Sequence, residues 1–291
     1  MQESRPDPIL LYRTREALLV VAGSKSTRLD ESLDELLVHD DLADRLLERL
    51  EANAAQQSGP DLSSLLPPIG SQEVWAAGVT YYRSREARME EAKSAGGSDF
   101  YDRVYAADRP ELFFKASASR VVGHGGALRL RSDSSWIVPE PELTLVLNAS
   151  GKIVGYTIGN DLSCRDIEGE NPLYLPQAKT FDACAGLGPC ILIHEDGLPT
   201  STAILLEVKR GDDVVFGAST QLSQLKRSFE ELARWLFAET SFPRGCFLMT
   251  GTGIVPPDDF SLRDNDMVRI TIEPIGTLEN TVRTDHPQCV T

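Results

Sequence analysis

From Ser71 onward the chain is cut into short, β-rich apolar runs at 74–79, 112–115, 143–147, 153–158, 190–193, 203–210, 247–250 and 267–272, with glycine or proline between them at short intervals. An alternating βαβ fold would need a helical crossover between successive strands. Helical periodicity appears in this part of the chain chiefly at 82–95 and 222–238. The pattern therefore predicts an α+β protein whose larger part is a mixed, mainly antiparallel β domain.

Residues 1–70 read differently. Two apolar runs, 9–12 and 17–21, flank Arg13-Thr14-Arg15-Glu16 and fit a β-hairpin. Between Leu29 and Leu50 leucines recur at helical spacing, with Asp40-Asp41 as a break and N-cap between two helices. A helix face packed on a sheet accounts for that stripe. The stretch 56–70, with Gly59-Pro60 and Pro67-Pro68, reads as a linker. A small N-terminal α+β domain over 1–70 and a β domain over 71–291 are expected.

Against 29 basic side chains stand 44 acidic ones, a formal charge of −15. Nucleic acid and anionic membrane surfaces demand a basic footprint, so neither is expected as a partner. A small anionic substrate is still admissible where clustered lysine or arginine, or a bound metal cation, supplies local positive charge. Five cysteines without a CxxC pair read as free thiols in a reducing compartment. No apolar run approaches the ~20 residues of a membrane span. The opening residues MQESRPDP have neither the basic nor the apolar region of a signal peptide, so a cytoplasmic location is expected.

The most informative segment is PEPELTLVLNASGKIVGYTIGND, residues 139–161. Alternate strand residues share a face, so Glu140 and Glu142 would point the same way, about 7 Å apart. Asn148-Ala149-Ser150-Gly151 has β-turn chemistry. A hairpin closed there sets Glu142 against Thr157 and Glu140 against Gly159, and places Asp161 diagonal to Glu140 on the same face. An error of one residue would send Asp161 to the other face. Pro139 and Pro141 lack ladder donors and suggest a sheet edge or a strand entrance. Three carboxylates on one surface, with no His or Cys among them, make an all-oxygen site suited to Mg²⁺, with Mn²⁺ and Ca²⁺ also fitting. The alternative is a solvated acidic strand edge.

Other residues carry chemistry or only structure on this reading. Arg165 could hold a substrate carboxylate or brace the acidic cluster. Lys179, ahead of a Gly-rich turn, is either a base near a metal or a solvated loop lysine. Glu111 and Lys115 share strand parity and could be an ordinary pair on a polar face. The Thr250-Gly251-Thr252-Gly253 bend exposes amides and hydroxyls, either for a carboxylate or merely for a turn.

Taken in order, RPELFFKASASRVVGHG, PEPEL, GYTIGNDLSCRD, the lysine loop ending in GLGP, and TGTG resemble the fumarylacetoacetate hydrolase superfamily over about residues 71–275. The resemblance implies that Glu140, Glu142 and Asp161 bind Mg²⁺, that Lys179 is the family lysine, and that Arg165 and Thr252 match its arginine and TGT threonine. Many hydrolases and decarboxylases of the superfamily carry GxNYxxHxxE, whose His and Glu activate water. Here GVTYYRSREA puts Ser84 and Ala87 in those places, against C–C bond hydrolysis.

RSDSxW (Arg131–Trp136), ENPLYLPQ (Glu170–Gln177) and GTxIVP make the chain most similar to the superfamily's 2-keto-3-deoxy-D-arabinonate dehydratases. That resemblance implies elimination of water from a 2-keto-3-deoxy sugar acid to give 2,5-dioxopentanoate. Lys179 is then the candidate base and Glu111 the candidate acid, roles that could be exchanged. Arg165 and Thr252 would position the substrate or the metal shell, and Ser132 and Asp133 would read the substrate's distal hydroxyls. A homo-oligomer, dimer or tetramer, is implied as well. Acylpyruvate hydrolysis, oxaloacetate decarboxylation and a catalytically silent ligand-binding homologue are the competing functions.

Overall fold

The computed structural model describes residues 7–53, 55–56, 60–81 and 107–284. The helical pattern expected at 82–95, with Ser84 and Ala87, lies outside them. In chain order the strands of the N-terminal half are β1 (Ile9–Arg13), β2 (Leu18–Ala22), β3 (Lys25–Leu29), β4 (Ala55–Gln56), β5 (Glu73–Gly78), β6 (Glu111–Ser117), β7 (Val121–Val122), β8 (Ala127–Arg129) and β9 (Ile137–Val138). There follow β10 (Pro141–Leu147), β11 (Ile153–Asp161), β12 (Ser163–Cys164), β13 (Ala185–Ile193), β14 (Ala203–Arg210), β15 (Asp213–Gln221), β16 (Cys246–Met249), β17 (Met267–Ile272) and β18 (Gly276–Arg283).

One large sheet runs in the order β4-β3-β2-β1-β13-β11-β10-β16-β5-β6, with β7 also on β13. A second sheet runs β15-β14-β17-β18-β8 and lies against β10, β11 and β13 of the first. Most pairings are antiparallel; β16 with β5, β13 with β7 and β18 with β8 are parallel. The mixed, mainly antiparallel α+β architecture expected from the sequence is thus present. The boundary placed near residue 70 separates two segments of one hydrogen-bonded sheet, because β1 pairs with β13.

Helices are short, and side chains cap two of them, Leu33–Leu36 and Phe229–Leu236. Ser32 and Glu35 form a reciprocal capping box at Leu33–Leu36. A second helix, Leu42–Asn53, lays Leu42, Leu46 and Leu50 on β2 and β3. Leu29, expected to begin the helical stripe, ends β3 instead. The helix expected over 222–238 is only Phe229–Leu236, started by the Ser228 side chain. Upstream of it the backbone is extended where Leu225 bridges to Tyr81 and the Lys226 N–H bonds to the Thr80 carbonyl. Strands β15 and β18 carry too many polar residues for an apolar-run reading. The first is an edge with alternating exposure.

Both faces of β10 and β11 are covered, and all seven residues of β10 are buried. Pro141 opens β10 without interrupting the ladder, and the strand is central, between β11 and β16, so of the two readings of Pro139 and Pro141, a sheet edge or a strand entrance, the structure has the entrance.

Candidate active site

The β10–β11 hairpin decides where the acids point. The Asn148 N–H bonds to the Lys152 carbonyl and the Gly151 N–H to the Asn148 carbonyl, so Gly151, at φ +81°, is an extra residue beyond the expected four-residue closure. A second irregularity adds Val154, since Leu147 faces Ile153 while Val146 faces Gly155. The two one-residue slips have the same sense. The register moves by two, setting Glu142 opposite Gly159 in place of Thr157, and a shift of two preserves the face. Asp161 therefore stays beside the glutamates, its N–H donating to the Glu140 carbonyl at 2.9 Å.

Ligating oxygens of Glu140, Glu142 and Asp161 lie within 4.8 Å of one another, and all three residues are buried. Lys179 ends the helix Leu175–Lys179 and is 1% exposed. Its Nζ lies 2.7 Å from Glu140 Oε2, 3.1 Å from Asp161 Oδ2, 2.5 Å from Ser163 Oγ and 3.4 Å from Glu168 Oε1. Arg165 opens the helix Arg165–Glu170; its Nη2 meets Glu140 Oε1 at 2.7 Å and its Nε approaches Glu168 Oε2 at 3.9 Å. Arg165 thus braces the cluster, the second of the two roles left open by the sequence.

Four buried carboxylates, Glu140, Glu142, Asp161 and Glu168, share the space with the cations Lys115, Lys179 and Arg165. Buried charge requires compensation. Glu142 shows the shortfall: burial, then repulsion from Asp161 and Glu140, pushes its carboxyl well above the usual carboxylate range, against the opposing pull of Lys179 and the Gly251 N–H. Such a group is neutralised by a proton or by a cation, and an all-oxygen donor set fits a hard dication. The residues present fit the metal site expected from the sequence.

A cavity of about 20 Å³, enough for one or two water-sized groups, is lined by Glu140, Glu142, Asp161, Lys179, Phe113 and Thr252 among others. The Thr252 hydroxyl is engaged by the Ile254 N–H and carbonyl. Glu111 is half-buried and not among the lining residues, but it pairs with Gly78, which is, and a Cβ on Gly78 would lie 2.3 Å from Glu111 Oε2. Ser132 and Asp133 are exposed, are not among the lining residues, and Asp133 is paired with Arg131.

Sequence reasoning missed three contributors, Lys115, Ser163 and Glu168, whereas the amide it saw exposed in the Thr250–Gly253 bend does meet a carboxylate. Lys115, left as one of a polar pair, is fully buried and binds Asp161 Oδ1 at 2.7 Å. Ser163 and Glu168 stand two residues after Asp161 and three after Arg165, a spacing that could have flagged them. The Gly251 N–H donates to Glu142 Oε2 at 2.5 Å from a bend at φ +93°. A side chain there would collide with Thr80 Oγ1, which leaves the position to glycine.

Residues 74–283 match the fumarylacetoacetate (FAA) hydrolase C-terminal family. The chain is 48% identical over 218 residues to the probable 2-keto-3-deoxyxylonate dehydratase of Haloferax volcanii, covering 75% of this chain and 74% of that one. It is 41% identical over 277 residues, 91% of each chain, to the 2-dehydro-3-deoxy-D-arabinonate dehydratase of Saccharolobus solfataricus. The solved structure of 2-keto-3-deoxy-D-arabinonate dehydratase complexed with magnesium and 2,5-dioxopentanoate superposes with a TM-score of 0.81 at 37% identity, covering 96% of this chain and 100% of that one. A match over most of its length, with the three acids and the lysine drawn into one buried site, makes this chain a member of the fumarylacetoacetate hydrolase C-terminal family.

Proposed function

We propose that the protein is a Mg²⁺-dependent hydro-lyase that removes water from a 2-keto-3-deoxy pentonate to give 2,5-dioxopentanoate. The observation that carries this reading is the buried cluster of Glu140, Glu142 and Asp161 with Lys179 against it, in a chain whose near full-length relative is named a dehydratase. Glu140, Glu142 and Asp161 would hold the cation. Bound there, a dication would offset the substrate carboxylate, draw negative charge from the 2-keto oxygen, and compete with the Lys179 ammonium for the same oxygens.

Lys179 Nζ is the proposed base for the C3 proton, and its four oxygen neighbours fix the side chain in one direction. Glu111, beside the lining residue Gly78, is the proposed acid that protonates the departing C4 hydroxyl. The enone so formed becomes the C4–C5 enol when C5 gives up a proton and C3 regains one, which the Lys179 ammonium can return, and the enol reaches the aldehyde when C4 gains a proton and its hydroxyl loses one. Arg165 keeps Glu140 in place, and Thr252 shapes the wall beside the carboxylates. Ser132 and Asp133 have no part in this scheme, given their exposure.

Incubation of the protein with 2-keto-3-deoxy pentonates, with and without EDTA, tests the proposal. Water loss, 2,5-dioxopentanoate as product, and activity restored by Mg²⁺ are expected. Turnover that survives complete metal removal would overturn it, and pyruvate formed from an acylpyruvate or from oxaloacetate, with the pentonates left unchanged, would favour the acylpyruvate hydrolase or oxaloacetate decarboxylase alternative. A homo-oligomer, dimer or tetramer, belongs to the same proposal and is checked by light scattering.

A further inference from the structure

Lys115 sits where the ladder between β5 and β6 skips a residue: Trp75 faces Phe114 but Val74 faces Ala116, leaving Lys115 as the extra residue of a bulge. Its side chain is wholly buried, with the ammonium 5.6 Å from the Phe181 ring centroid. An ammonium has three donors; here the carbonyls of Leu162 at 2.9 Å and Lys179 at 2.5 Å accept from two of them, and Asp161 Oδ1 forms an ion pair with the charge at 2.7 Å. Lys115 is not among the residues lining the cavity, so it is not placed to pass a proton to a substrate there.

Its contact splits the Asp161 carboxylate, Oδ1 to Lys115 and Oδ2 toward Lys179. The same division occurs at the other two acids. Arg165 Nη2 takes Glu140 Oε1, and the Gly251 N–H takes Glu142 Oε2. Each carboxylate thus has one oxygen held from outside the cluster. A carboxylate restrained in this way offers a cation one oxygen, not two. Ca²⁺ draws on two-oxygen carboxylates to reach six to eight ligands, whereas Mg²⁺ takes six at near-octahedral angles.

We infer that Lys115 is a positioning residue that keeps Asp161 a one-oxygen ligand and so sets the site for Mg²⁺ and Mn²⁺ against Ca²⁺. This rests on the carboxylates being a metal site, as proposed above.

Calorimetric titration of the substrate-free, full-length protein with Mg²⁺, Mn²⁺ and Ca²⁺ provides the test. In the unaltered protein Ca²⁺ should bind about tenfold or more weakly than Mn²⁺. Lys115→Met removes a positive charge and should strengthen binding of every dication, but that gain is common to ions of equal charge. The ratio of Ca²⁺ to Mg²⁺ affinity isolates the coordination effect and should rise about tenfold, while Lys115→Arg, which can still hold Oδ1, should keep the original ratio. Circular dichroism establishes that the variants fold. Binding of none of the three ions by the unaltered protein would remove the metal reading itself. If the ions bind but Ca²⁺ matches Mn²⁺ in the unaltered protein, a result that needs no variant, the role given to Lys115 is overturned and the metal site stands. A ratio unchanged in Lys115→Met has the same meaning.

Discussion

Gly78 allows the proposed acid to be tested without altering it. A methyl group there would lie 2.3 Å from Glu111 Oε2, the far end of a flexible side chain, so Gly78→Ala should move the carboxylate at little cost to the fold. Turnover is expected to fall by about tenfold or more, and by roughly 10²-fold in Glu111→Gln, with cation affinity unchanged in both by calorimetry. Glu142→Gln should behave in the opposite way. It removes a ligand, so Mg²⁺ affinity and turnover should each drop by roughly 10²-fold. It also removes a buried charge repelled by Asp161 and Glu140, so the cation-free variant should melt no lower than the cation-free parent. A lower melting temperature would contradict the charge imbalance inferred here. The residues most visible in the sequence were those whose spacing encodes a shared face, Glu140, Glu142 and Asp161. Lys115 was legible only as strand parity, because its partner Asp161 and the two carbonyls it binds are remote in sequence.

At the scale of the element, the β10–β11 hairpin places Asp161 by two slips of the same sense. The four-residue turn was legible from Asn148 and Gly151, but the extra residues Gly151 and Val154 were not, because a bulge depends on how the strand packs and twists. Gly151 is at φ +81°, with the space for a Cβ only 3.0 Å from the Phe237 ring. Gly151→Val should lower stability by about 1–3 kcal/mol in chemical denaturation. The turn lies at the end of the hairpin opposite Glu142 and Asp161, so the variant's Mg²⁺ affinity below the unfolding transition should be retained. Loss of Mg²⁺ binding in a folded Gly151→Val protein would mean that the turn sets the register of the whole hairpin, not merely its stability.

Across the whole molecule, folding buries thiols that an unfolded chain would expose. Burial pushes Cys164 up to about 11 and Cys190 up to about 12 from 9.0. The native state keeps protons that the unfolded state releases, so the associated stability is intact below about pH 9 and is lost as pH rises toward 11–12. Urea midpoints should therefore fall between about pH 8 and about pH 10.5, and less steeply in Cys164→Ala. The net charge of −15 adds a second dependence. Salt shortens the screening length from about 10 Å at 0.1 M to about 3 Å at 1 M, so NaCl should raise the melting temperature by reducing self-repulsion. Mg²⁺ should add its own increment, about 2.7 kcal/mol at a hundred times Kd, which a hundredfold weaker site in Glu142→Gln should cut to about 0.4 kcal/mol at the same Mg²⁺ concentration. Among the described residues no helix is long and apolar enough to cross a membrane, in line with the absence of a long apolar run.

The amino-acid sequence by itself determined the β-rich class, the order of the chemical segments along the chain, and the common face of Glu140 and Glu142. Those properties are local: side-chain alternation, turn residues and spacing act over a few positions. The neighbours of β10 were decided by tertiary structure, as were the bulge that turns Lys115 inward and the burial that makes the carboxylates demand a cation. Each depends on strands far apart in the chain closing over both faces of β10 and β11, and desolvation, unlike alternation, is a property of what covers a residue and not of what stands beside it in sequence.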